Sequence, residues 1–136
     1  MKTSVPVVAA RVLLSLIFLL AGWSKLTGLE GTTAYIGSKG LPMPAVLAVA
    51  SGLLELVAGI ALAVGFKARI AAAVLAAFTL VASLLFHNFW AMPADQVMVN
   101  QLMFMKNLAI VGGLLLVFAY GAGPVSVDTR RMAPAH

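Results

Sequence analysis

Charged residues divide the chain into four long apolar stretches, from about Val5 to Ser24, Pro44 to Phe66, Ile70 to Trp90 and Met98 to Gly121. Each reaches the roughly 20 residues that a helix needs to cross a hydrocarbon core. Arg11 is the single charge in the first stretch, Glu55 in the second and Lys106 in the fourth, and the third has none. Runs of this length, rich in Leu and Ala and without strict alternation, predict helices rather than barrel strands. The expected fold is all-α: an integral membrane four-helix antiparallel bundle, one transmembrane domain over residues 1–136 with spans at about 5–24, 44–66, 70–90 and 98–121.

Composition strengthens that expectation. With 62% hydrophobic and 10% charged residues in a chain of 136, and a mean hydropathy of +1.07, one modest core cannot hide the apolar surface. Lipid must cover the rest. The net charge of +5 would suit a nucleic-acid binder if the basic residues formed a patch. They are scattered as punctuation between apolar runs, so no nucleic-acid partner is expected. The chain has no cysteine, which excludes a disulfide, a thiolate metal site and thiol exchange. A cleaved signal peptide is a poor reading of the first stretch. Trp23 follows Ala21-Gly22 where cleavage wants small residues, and three more spans come after.

The connections set the topology. Residues Lys25 to Met43 carry Gly28, Gly31, Gly37, Gly40 and Pro42, a loop signature, and Glu30 to Ser38 could form a short interfacial helix anchored by Tyr35. Gly65-Phe66-Lys67-Ala68-Arg69 is short and basic, which makes the second and third spans a tight antiparallel hairpin. Lys2, Arg11, Lys67, Arg69, Arg130 and Arg131 fall on one side of the bilayer, against Lys25 and Lys39, with Lys106, on the other. The basic side is retained in the cytoplasm, so both termini are expected there.

Drawn at 3.6 residues per turn, the few polar groups share a face in each span. The first span aligns Arg11, Ser15, Phe18, Gly22 and Lys25; the second Ala48, Ser51, Gly52, Glu55, Ala58, Gly59 and Leu62. The third aligns Ala72, Ala76, Thr79, Ser83, His87 and Trp90, and the fourth, more weakly, Met103, Lys106, Ala109, Ile110 and Gly113. Small residues let helix backbones approach closely in lipid, so these faces are expected to form the interior.

Glu55 is the most informative position, because a carboxylate near mid-span costs at least ~2.5 kcal/mol and must be neutral or paired. Arg11 and Lys106 are its expected partners, with Lys25 lying higher toward the outer side. Two readings stay open: a buried pair that fixes helix register, or a proton-accepting or ligand-binding carboxylate. His87-Asn88-Phe89-Trp90 ends the third span. It reads either as an aromatic belt with a satisfied histidine or as a polar ligand mouth, Trp90 stacking and His87 and Asn88 hydrogen-bonding with help from Lys106 and Asn107. His87 and His136 cannot supply two axial haem ligands, which leaves a His/Met pair as the one haem arrangement open, and His87 with Glu55 is too small a donor set for a metal.

These motifs resemble the DoxX family over about residues 8 to 129. Arg11 with Gly22-Trp23-Ser24-Lys25-Leu26 is similar to the family's first helix, and Gly40-Leu41-Pro42 with Gly52-Leu53-Leu54-Glu55-Leu56 to its second. His87-Asn88-Phe89-Trp90 with Lys106-Asn107-Leu108 is similar to a subgroup, and Gly121-Ala122-Gly123-Pro124-Val125-Ser126-Val127-Asp128 to the closing GxGxxSxD pattern. The resemblance implies a four-helix protein of a bacterial-type inner membrane with a redox association, since a relative is a subunit of a thiosulfate:quinone oxidoreductase. It implies an auxiliary subunit rather than a complete enzyme. A quinone head group between the helices, held by Glu55, His87 or Lys106, is the implied ligand, and other redox-complex subunits or a second copy of the chain are the implied partners. The alternatives are a non-enzymatic scaffold or assembly partner and, third, transport of a proton or small solute along Lys25, Glu55 and Arg11.

Overall fold

The structure, a computed structural model, describes residues 4–132, so Lys2 and His136 lie outside the described residues. Its helices are α1 (Ser4–Thr27), α2 (Leu29–Ser38), α3 (Pro44–Val64), α4 (Ala68–Phe86), α5 (Ala94–Tyr120) and α6 (Val127–Met132), with a single 3-10 turn at Phe89–Ala91. The α1, α3, α4 and α5 helices are long and apolar enough to span a membrane. Helices are the form in which a lone segment satisfies its own backbone groups in lipid, which is why these apolar runs fold this way. The short α2 occupies the loop where an interfacial helix was expected, packed on α3.

Around the bundle α1 neighbours α3, α3 neighbours α4, α4 neighbours α5, and α5 touches α1 to close the ring. The link after α3 is as tight as its composition suggested. Gly65 adopts φ +73°, and Phe66 N–H donates to Ala61 O at 2.8 Å while Gly65 N–H donates to Leu62 O at 3.2 Å. This pairing satisfies two of the carbonyls that every helix end leaves free. Despite the link, α3 packs most extensively on α1 rather than α4.

Glycine explains that preference. A Cβ on Gly22 would lie 2.8 Å from Gly52 O and 2.8 Å from Leu56 N, both backbone atoms that cannot move aside. The two helices therefore meet backbone to backbone, where packing and hydrogen bonding replace the hydrophobic drive. Gly22→Ala is expected to force them apart and cost about 2 kcal/mol. Gly112→Ala, with nothing within 4 Å of its Cβ position, should cost nothing. Circular dichroism during an SDS titration of the detergent-purified protein measures both.

The buried positions of α1 are Arg11, Ser15, Phe18 and Gly22, and those of α3 are Ala48, Gly52, Glu55, Gly59 and Leu62. Both follow the polar faces read from the sequence. The α4 interior includes Ala72, Ala76, Thr79 and Ser83 as read, but Trp90 beyond it is 58% exposed. The face of α5 differs from expectation. Val111 and Leu114 are its buried residues, while Lys106 and Ala109 are exposed. From Leu108 onward the α5 sequence is apolar on every side, so its periodicity has little amplitude, and one charge drew the reading about a quarter turn off. The Ala109 to Gly113 spacing is split accordingly, with Gly113 against Leu14 and Ala109 turned outward.

Candidate functional site

Three polar assemblies stand in the bundle. The first is the ion pair between Lys25 and Glu55. Lys25 Nζ donates to Glu55 Oε2 at 2.5 Å, the two side chains being 28% and 6% exposed. Glu55 is the twelfth residue of a 21-residue helix, and Lys25 lies in the last turn of α1. The Gly22 contact draws α1 against α3, and the Lys25 stem then carries its ammonium down toward the middle of the membrane. The same Nζ lies 5.7 Å from the Phe78 ring centroid on α4, an arrangement in which the aromatic face supports the cation. Three helices thus contribute to one ammonium–carboxylate pair, α4 through the ring beside the ammonium.

The partners expected for Glu55 are elsewhere. Lys106 Nζ lies against Met103 Sδ at 3.4 Å on the exposed side of α5. Arg11 is 4% exposed and sits at the opposite end, where Nε donates to Ala63 O at 3.1 Å, Nη2 to Val125 O at 3.0 Å, and Nη1 to Ala122 O. Between Arg11 and Glu55 on these faces come Phe18, Gly59 and Leu62, with Gly59 packed on Phe18 and Leu19. The interior expected to be polar from Lys25 to Arg11 is therefore interrupted by an apolar plug.

The second assembly joins α4 to α5 near the end of the bundle opposite the described termini. His87 Nδ1 is 3.0 Å from Asn100 Oδ1, and Asn100 Nδ2 donates to Gln96 O. Further along the same seam, Asn107 Nδ2 donates to Ser83 Oγ at 2.8 Å, and Ser83 and Thr79 donate in turn to Thr79 O and Leu75 O. Trp90 packs edge-on to Phe89 and Phe104, with centroids 5.2 and 5.5 Å away. Asn88 contributes its carbonyl to the 3-10 turn. His87, Asn88, Trp90, Lys106 and Asn107 consequently do not converge on one ligand-sized point. His87 and Asn107 are each tied to a different partner.

The third assembly closes the end that carries both termini of the described chain. Both oxygens of Asp128 accept backbone donors at the start of α4, from Lys67 N–H at 2.6 Å and Ala68 N–H at 2.9 Å, and Asp128 N–H donates back to Gly65 O at 2.9 Å. A carboxylate is well placed there, since a helix N-terminus leaves free N–H groups and carries partial positive charge. Ser126 Oγ bonds Gly123 O and Thr129, and Arg69 Nη1 donates to Phe118 O and Ala119 O at the end of α5. The GxGxxSxD ending is thus a clasp built from helix caps. Its motif was visible in the sequence, but its role was not, because caps between distant helices have no local signature.

Comparison with known proteins fits this architecture. The sequence profile of the DoxX family matches residues 7–88. This chain belongs to the DoxX family. It is 42% identical over 127 residues to inner membrane protein YqjF of Escherichia coli (strain K12), covering 91% of this chain and 90% of that one. With inner membrane protein YphA of the same strain it shares 36% identity over 121 residues, 89% of this chain and 86% of the relative. A shorter likeness, 37% over 70 residues, links half of this chain to 23% of the Surfeit locus protein 4 homolog of Schizosaccharomyces pombe. No solved structure matches the chain. The family profile covers the Lys25 and Glu55 pair and Arg11 and ends before Asn100, Asn107 and the clasp. Among the described residues no group of three or more His, Asp or Glu is placed to hold a metal ion.

Proposed function

We propose that this DoxX-family protein is an auxiliary, quinone-interacting subunit of a redox system in a bacterial-type inner membrane, with both termini cytoplasmic. One observation carries the reading: the Glu55 carboxylate sits near mid-span with the Lys25 ammonium as its donor. The names of the two Escherichia coli relatives support the membrane, and the basic residues gathered at one end support the orientation.

The residues at this pair fit a quinone head group, which when bound supplies two-electron chemistry and a carbonyl oxygen that accepts hydrogen bonds. Lys25 Nζ is the donor to such an oxygen. Glu55, its Oε2 already held by that ammonium, is positioned to pass a proton to or from the same point. Binding and proton handling lie within this chain. Electrons are assigned to a partner subunit.

The test is retention of a short-chain ubiquinone by the detergent-purified protein, read by quenching of tryptophan fluorescence, since Trp23 stands two residues from Lys25. Wild type is expected to bind one quinone, and Glu55→Gln to bind at least about tenfold more weakly. No quinone bound by wild type, or equal binding by the variant, would overturn the reading.

A second reading, a scaffold or assembly partner, is favoured by α5, whose Lys106, Ala109 and Gly112 turn outward. A stable complex that co-purifies unchanged after Glu55 and His87 substitution would favour it. The interrupted interior leaves the transport reading without comparable support.

A further inference from the structure

The clasp end of the bundle has more positive charge than its own acids answer. The chain has four acidic residues. Glu30 lies in α2 and Asp95 in the first turn of α5, both at the opposite end, and Glu55 lies inside the bundle. Asp128 alone is at this end, and its two oxygens are already engaged by backbone N–H groups. Around it stand Lys67, Arg69 and Arg131, which with Tyr120 and Thr129 line a cavity of about 600 Å³.

An apolar cavity adjoins it. Lys67 and Ile70 line both, and the second, about 300 Å³, runs up the outer seam of α3 and α4 past Ala61, Val57 and Val74. From Leu54 to Ala61 it climbs about 10 Å, most of the depth of one leaflet of a core roughly 30 Å thick. Phe66, next to Lys67, lines the apolar cavity. The Lys67 ammonium is 5.8 Å from its ring centroid and the Arg131 guanidinium 5.2 Å, so both cations are gathered on one aromatic side chain at the mouth of the groove.

We propose that this is a binding site for one anionic phospholipid. The phosphate lies in the basic cavity against Lys67, Arg69 and Arg131, with no headgroup cation to offset its charge, and one acyl chain lies in the groove between α3 and α4. Arg69 spends one nitrogen, Nη1, on the carbonyls that end α5, which fixes its plane and leaves its remaining donors for a phosphate oxygen. A charged head beside an apolar groove that covers most of a leaflet's depth matches a lipid and no water-soluble anion. The site is separate from the Glu55 pair and independent of the quinone reading.

Native mass spectrometry of the full detergent-solubilised chain tests it, with phosphatidylglycerol, phosphatidylcholine of the same acyl chains, and inorganic phosphate titrated separately. One phosphatidylglycerol is expected to be retained at about a tenfold lower concentration than phosphatidylcholine. Lys67→Asn with Arg131→Gln should erase that difference; Asn tolerates the positive φ at residue 67. Val57→Trp, which fills the groove, should weaken both lipids, and circular dichroism confirms that each variant keeps its helices. Equal retention of the two lipids, a double variant that binds like wild type, or phosphate that competes as well as the lipid would each overturn the proposal. So would a two-chain species that Val57→Trp dissociates, since it would show a second copy in the groove.

Discussion

Lys25→Met is expected to destabilise the bundle by about 3 kcal/mol, whereas Glu55→Gln costs only about 1 kcal/mol. The asymmetry follows from where each group can go. Without Lys25, the Glu55 carboxylate stays near mid-span on a side chain that is 6% exposed, too short to reach an interface. Breaking a buried pair in this way leaves an uncompensated charge, which is the costly outcome. Without the Glu55 charge, Lys25 has an alternative. It lies in the last turn of α1, and its long stem can carry the ammonium outward to the headgroups. Gln at residue 55 also still accepts a hydrogen bond. The double variant Lys25→Met, Glu55→Gln should therefore cost about 1 kcal/mol rather than the sum of the two, a coupling that a double-mutant cycle isolates. SDS titration monitored by circular dichroism supplies all four corners. Additive costs would show that the pair contributes nothing as a unit.

The identity of that pair is also where sequence and structure part company. Four spans, the α2 insertion and the interior faces of α1 and α3 were all legible, because Gly, Ser and a lone Glu stand out against Leu and Val at a helical period. The partner of Glu55 was not. Position along the chain placed Lys25 too high, but Gly22 and Gly52 bring the backbones close enough for its flexible stem to descend, and a helical-wheel argument does not include that reach. Lys106 failed for the opposite reason. A charge in an apolar helix is expected to face inward, yet α5 is lined against α4 by Asn107, Val111 and Leu114, and Lys106 lies about 100° away from Asn107. Asn100 went unremarked because nothing local ties it to His87, thirteen residues earlier across a turn. Arg11 was read as an interior charge and is 4% exposed, but its partners are three carbonyls that no sequence pattern advertises.

Those carbonyls make Arg11 the second position where a large effect is expected. Arg11→Met should cost about 3 kcal/mol, since three hydrogen bonds from a charged donor are lost, and carbonyls inside the clasp are left without a partner. Arg11→Lys should recover only part of this, because one ammonium cannot reproduce a planar fork that reaches Ala63 on α3 and both Ala122 and Val125 in the clasp. Asp128→Ala, which removes a cap but no buried charge, should cost about 1 kcal/mol. Arg11 differs from Asp128 in what it joins: it ties the end of α3 to residues 122 and 125, whereas Asp128 ties α6 to the start of α4. Losing Arg11 should therefore release the clasp before the spans separate. Limited trypsin digestion reads this directly, through cleavage at Arg130 and Arg131. Cleavage about tenfold faster in Arg11→Met, at a detergent concentration where its helicity equals wild type, is the expected result. If cleavage instead accelerates only where helicity falls, Arg11 supports the whole bundle and not the clasp in particular.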